Sequence, residues 1–172
     1  MSFIQDEIIL PVSVVSLIAG FQLAIFFLFQ YLKMKDEDIG LNKILLAYAL
    51  FFAFAISGAL SRVLNTYFFQ EISINKILTQ LSFVFYVLSI DSFLLIISTK
   101  SFHQISGPFI PRLIVILTII PLIFVFIIDG FVESPYIMII VLIGFIYLLF
   151  FQYKLINLST GNIKNRLMMI LI

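Results

Sequence analysis

The chain has 172 residues, 63% of them hydrophobic and 11% charged, against roughly 45–50% and 25% in ordinary soluble domains. A chain this short has too high a surface-to-volume ratio to bury that much apolar area in water, so its expected solvent is lipid. The net charge of +1 supplies no global field for nucleic acid, and the lack of cysteine excludes disulfides and thiolate metal sites.

The expected fold is all-α, a polytopic transmembrane helical bundle forming one domain over 1–172. A spanning helix needs about 20 mostly apolar residues. The start, MSFIQDEIIL, is acidic, whereas a secretory signal has a basic start and a shorter apolar core. The charge-free run over 8–32 therefore reads as a retained first span. The polar turn KMKDEDIGLNK separates it from a second span over 44–69, which contains Arg62. The third covers 77–99 and contains Asp91.

The stretch SGPFIPR combines glycine with two prolines and reads as a loop. The fourth span, 111–132, is the least well marked, because only residues 113–128 within it are free of charge. Pro121 removes a backbone hydrogen bond there and is expected to bend the helix. The fifth span, 135–153, has a clear start, since Ser134 can cap and Pro135 suits the first helical position. After the turn STGNIKNR, the closing LMMILI over 167–172 reads as the start of a sixth span. On that reading the chain is a fragment of a longer protein.

Orientation follows from the basic residues. Lys33, Lys35, Lys43, Lys100, Arg112, Lys154, Lys164 and Arg166 fall on one side, and only Arg62 and Lys76 on the other. Basic residues stay in the cytoplasm, so a multi-pass protein of the cell membrane with an extracytoplasmic amino terminus is expected.

Few polar residues lie within the spans. An aspartate at a helix centre costs about 2.5–3.5 kcal/mol on the insertion scale, and each Leu, Ile, Phe or Val returns roughly 0.3–0.6. The third span has 14 such residues, together about 4–8 kcal/mol, so it inserts despite Asp91. Asp91 and Gln22 each lie about 21 Å along helices running the same way, at 1.5 Å per residue. Thr118 and Tyr147 fall near that level. These four form a candidate intramembrane polar site, read either as a proton or cation site or as a hydrogen-bonded structural cluster.

Arg62 shares a helical face with Ser57, Gly58, Ser61 and Asn65 and matches Asp129 in depth. An Arg62–Asp129 ion pair is expected, with Glu133 as substitute; snorkelling of Arg62 to headgroups is the plainer alternative. Ser16, Gly20 and Ala24 recur every four residues, a pattern that lets helices approach closely. Thr79, Ser82, Tyr86 and Ser89 share one face of the third span, and Gln80 and Asp91 the opposite face. Polar groups on two faces place that span at the centre of the bundle.

Nothing points to catalysis. The one histidine, His103, lies at the inner surface, and no paired-histidine metal motif occurs. The Ser57–Gly58 pair lacks the flanking pattern of a nucleophile elbow. No enzymatic activity, metal or cofactor is expected. The favoured reading is a sensor or receptor-like membrane module, partnered by lipid and by other membrane subunits or a cytoplasmic signalling domain. A transporter or channel component using Asp91 is the alternative, and an assembly or scaffold subunit the third.

Overall fold

The computed structural model describes residues 2–33, 39–69, 71–99, 109–125 and 135–158. Those residues form five helices and no strand: α1 (Ser2–Lys33), α2 (Ile39–Tyr67), α3 (Ile72–Ile97), α4 (Phe109–Phe124) and α5 (Pro135–Leu158). Four of them are long and apolar enough to cross a membrane, over Ile9–Lys33, Leu41–Tyr67, Ile72–Ile97 and Val141–Leu158.

The helices outrun the apolar segments that mark them. α2 starts at Ile39 and takes in Asn42 and Lys43; α3 starts at Ile72 and takes in Ser73, Asn75 and Lys76. α1 runs through Pro11, and α5 continues past Tyr153 to Leu158. Apolar composition reports the solvent, whereas backbone hydrogen bonding sets where a helix ends, and polar residues continue a helix readily. α4 has 16 residues, about 24 Å at the α-helical rise, short of the roughly 30 Å hydrocarbon thickness. The remainder of the expected fourth span, Asp129, Glu133, His103 and the expected sixth span lie outside the described residues.

The helices are linked into one body by α3, which packs against α2, α4 and α5, while α1 packs against α2. Between α2 and α3 the chain turns tightly, with the amides of Phe68 and Phe69 both donating to the Leu64 carbonyl. Glu71 flanks α3 in an extended conformation, φ −69° and ψ 129°, and accepts a bond from the Ser73 hydroxyl at 3.2 Å.

Lipid tails are as apolar as leucine, so packing, close approach and polar bonds must hold such helices together. The packing is concentrated at the end where α2 and α4 begin. There Ile44, Leu45, Ala47 and Tyr48 of α2 meet Phe93, Leu94 and Ile97 of α3, Ile114 and Val115 of α4, and Leu148, Phe151 and Leu155 of α5. An aromatic chain runs through this region. Phe27 of α1 stacks on Tyr48 at 5.1 Å and on Phe52 at 5.7 Å, and Tyr48 meets Phe93 edge-on at 4.9 Å. Phe93 then reaches Phe151 at 6.4 Å. Each such pair contributes about 0.5–1.5 kcal/mol beyond area burial. The Tyr48 side chain is also hydrogen-bonded to Gln152, tying α2 to α5.

Close approach is achieved at three glycines, among them Gly144, where an added Cβ would lie 3.1 Å from Ile90 Cγ2. A Cβ on Gly58 would lie 3.0 Å from the Ser82 carbonyl oxygen and 3.1 Å from the Tyr86 ring; one on Gly20 would lie 2.9 Å from Ile56 Cγ1. The outward faces are apolar along most of α1, α4 and α5, with Val15, Phe29, Ile123 and Tyr153 among the exposed side chains. An outer surface of that kind fits lipid.

Candidate functional site

Two polar regions flank α3, one on each of its polar faces. The first is a cleft of about 800 Å³ between α2, α3 and α5, at the α2–α3 turn end of the bundle. Its α2 wall carries Phe51, Ala55, Arg62, Asn65 and Thr66. The α3 wall includes Thr79, Ser82, Tyr86, Ser89 and Ile90, and Val141 and Phe145 of α5 close the third side.

The walls are graded from polar to apolar. Arg62, Asn65, Thr66 and Thr79 gather at the turn end, where the Asn65 amide donates to the Thr79 hydroxyl at 2.9 Å. Phe51 and Ile90 lie 11 positions away along their helices, about 16 Å by the helical rise. Most cleft hydroxyls spend their proton on their own helix. Thr79 donates to the Asn75 carbonyl, Thr66 to that of Arg62 and Ser89 to that of Tyr86. Asn65 Oδ1 is buried with no hydrogen-bond partner. Among the described lining residues Arg62 is the sole charged one, and its side chain is exposed.

The second region is sealed. Asp91 and Thr118 are 2% and 4% exposed, and they face each other across the α3–α4 contact. Thr118 Oγ1 lies 2.6 Å from Asp91 Oδ1, 2.8 Å from the Val115 carbonyl and 3.1 Å from that of Ile114. A hydroxyl has one proton to donate. The two shortest contacts are both satisfied when the neutral acid donates to Thr118 and Thr118 donates onward to the Val115 carbonyl. With the carboxylate instead, Thr118 has to serve Asp91, and Oδ2, which has no partner, becomes a buried unpaired charge, a costly arrangement. On the same face Gln80 Nε2 donates to the Val125 carbonyl at 2.8 Å. That bond satisfies a carbonyl left over where α4 ends.

The structure sorts the expected polar cluster. It brings Asp91 and Thr118 together. Gln22 does not join them: it is exposed on α1, whose packing partner is α2, so equal depth was not proximity. Tyr147 packs against the central apolar cluster of α5. Asp129 and Glu133, the expected partners of Arg62, lie outside the described residues. In the small-residue row, Gly20 abuts Ile56 and Ala24 is buried. Ser16 is exposed, its hydroxyl bonded to the Val12 carbonyl, so the close approach uses two of the three positions.

Sequence reasoning identified the two faces that line the cleft without joining them. Arg62 and Asn65 fall on one α2 face, and Thr79, Ser82, Tyr86 and Ser89 on one α3 face; that these faces look toward each other needed the fold. Val141 and Phe145 carry no sequence signal, being two apolar residues among many. No family model, curated protein or solved structure matches the chain.

Proposed function

We propose that the protein is a receptor-like module of the cell membrane, crossing it with its amino terminus outside and binding a small ligand in the α2–α3–α5 cleft. The observation that carries this reading is the cleft itself. It has the size of a small-molecule site, roughly 300–1,000 Å³, and its lining mixes apolar residues with polar groups that are densest at the turn end. The excess of basic residues on the other side, Lys33, Lys43, Lys154 and their neighbours, supports an outer position for the polar mouth. A short fourth helix and a further span starting at 167–172 complete the bundle in this reading. A ligand lodged against α3 bears on the helix that also packs on α4 and α5, and the tight aromatic end carries the displacement toward a cytoplasmic signalling domain or subunit.

A photoreactive neutral hydrocarbon, an adamantyl diazirine, tests the cleft in protein held in nanodiscs. Labelling is expected to concentrate on Phe51 and Phe145 and to fall severalfold in Val141→Trp, which fills the space. Labelling spread evenly over lipid-facing residues such as Phe29, and unchanged in the variant, would sink the reading.

A second reading, a transporter or channel component, is favoured by the unpartnered Asp91 Oδ2 deep in the bundle, since intramembrane acids mark proton and ion pathways. The α3–α4 contact that encloses it argues for a structural bond. The receptor-like reading is preferred because its cleft is open and the acid is enclosed.

A further inference from the structure

We propose that the ligand of the cleft is an amphiphile with one apolar chain and one anionic head, seated head-outward on Arg62; this rests on the cleft being a ligand site at all. Three observations carry it. First, Arg62 is the sole charged residue among the described lining residues, and no carboxylate is among them. An oxyanion is what a guanidinium fork holds best, through paired charge-assisted bonds.

Second, three of the five lining hydroxyls are already engaged, which leaves Ser82, Tyr86 and one Asn65 amide hydrogen as the other donors. The hydroxyls of Thr66, Thr79 and Ser89 donate to main-chain carbonyls, and the Asn65 amide to Thr79. A ligand bristling with acceptors, such as a sugar or a peptide, would leave most of them unpaired, at the full desolvation penalty of each. A ligand with one charged group and few other polar atoms suits a cleft whose one charged donor is Arg62 and whose neutral donors are mostly engaged.

Third, the polar-to-apolar gradient runs in one direction for about 16 Å along both the α2 and α3 walls. Past Ser82 and Tyr86 the lining is Phe51, Ala55, Val87, Ile90, Val141 and Phe145, interrupted by Ser89, whose hydroxyl donates to the Tyr86 carbonyl. Phe51 and Phe145 belong to different helices, so the chain enters between helices rather than lying on the outside of one. Arg62 on the rim is exposed, where a head arriving from the outer membrane surface meets it before the chain is drawn in.

The experiment compares three photoreactive probes of equal chain length in zwitterionic nanodiscs: a diazirine-bearing dodecanoic acid, the corresponding alcohol, and a diazirine-bearing phosphatidylglycerol. Adducts are mapped by mass spectrometry in the wild type, Arg62→Gln, Arg62→Lys and Val141→Trp. The acid is expected to label Phe51 and Phe145 about tenfold more than the alcohol, the size of one charge-assisted bond. Arg62→Gln should erase that preference and Arg62→Lys keep part of it, since a lysine holds an anion as a point charge. Val141→Trp should reduce labelling by acid and alcohol alike.

Acid and alcohol labelling equally, with both blocked by Val141→Trp, would overturn the anionic head and leave the cleft as a ligand site. Stronger labelling by the two-chain lipid would reassign the cleft to an anionic phospholipid. Insensitivity of every probe to Val141→Trp would overturn both the ligand class and the site. If Arg62 serves instead to pair Asp129, Arg62→Gln will lower the unfolding temperature, Asp129→Asn will restore it in the double variant, and the acid preference will persist throughout. That pattern also rejects the proposal.

Discussion

An aspartate in the middle of an apolar helix is acceptable only where every close contact has a use. Thr118 meets Asp91 at 2.6 Å and Val115 at 2.8 Å, and the neutral acid completes a chain of bonds that the carboxylate would break. Asp91→Asn should therefore be mild, because the amide Nδ2 takes over as donor to Thr118. Thr118→Val removes Asp91's side-chain partner and should cost about 0.6–1.7 kcal/mol, the range of interhelical hydrogen bonds in membranes. Unfolding in mixed micelles reads both. The same Asp91→Asn protein in proteoliposomes decides the transport reading, which requires proton-coupled uptake to vanish while the fold survives. Asp91 could be singled out from its run of apolar neighbours; its bond to Thr118 could be narrowed only by depth, and the same depth argument wrongly enlisted Gln22.

At the scale of the element, α3 is the shared wall. Its faces bear Gln80 and Asp91 toward α4 and Thr79, Ser82 and Tyr86 toward α2. A period of 3.6 residues separates these sets in the bare sequence, so the centrality of α3 was legible before the fold was. The quality of its contact with α2 was not. Gly58 faces a main-chain carbonyl, which cannot step aside; Gly20 faces the Ile56 side chain, whose Cγ1 at 2.9 Å must shift to admit a Cβ. Gly58→Ala is expected to cost about 1–3 kcal/mol, as overpacking does. Gly20→Ala should cost less, because a side chain rather than the backbone has to move and the roughly 0.5–1 kcal/mol helical advantage of alanine offsets part of that shift. Comparing the two unfolding midpoints checks the ranking; equal losses would mean that α1 and α2 are as rigidly apposed as α2 and α3.

Across the whole molecule the two ends differ. One end is filled by Phe27, Tyr48, Phe93 and Phe151, and the other is parted by the cleft. Among the described residues the buried apolar side chains are concentrated at the aromatic end, and the end with fewer such contacts is the one where local opening costs less. Which end faces outward can be measured simply, because the chain has no cysteine and single-cysteine variants need no background correction. With a membrane-impermeant maleimide on intact cells, Ile72→Cys is expected to label and Lys33→Cys to label only after permeabilisation. The opposite pattern would invert the orientation and place the mouth of the cleft in the cytoplasm.

Composition and periodicity alone determined that the chain is helical, that several of its helices are long and apolar enough to cross a membrane, and that Asp91, Arg62 and the hydroxyls of α3 need partners. These are local properties: an apolar run of spanning length satisfies its backbone within itself, so its neighbours do not alter the outcome. Tertiary structure decided who those partners are. Gln22 was lost to the exterior, Gln80 was assigned to the end of α4, Tyr48 to Gln152, and two unremarked residues, Val141 and Phe145, became walls of the cleft. In lipid the hydrophobic effect does not rank one helix pairing above another. Pairing is set by side-chain shape and by scattered polar bonds, and these exist only once the helices have met.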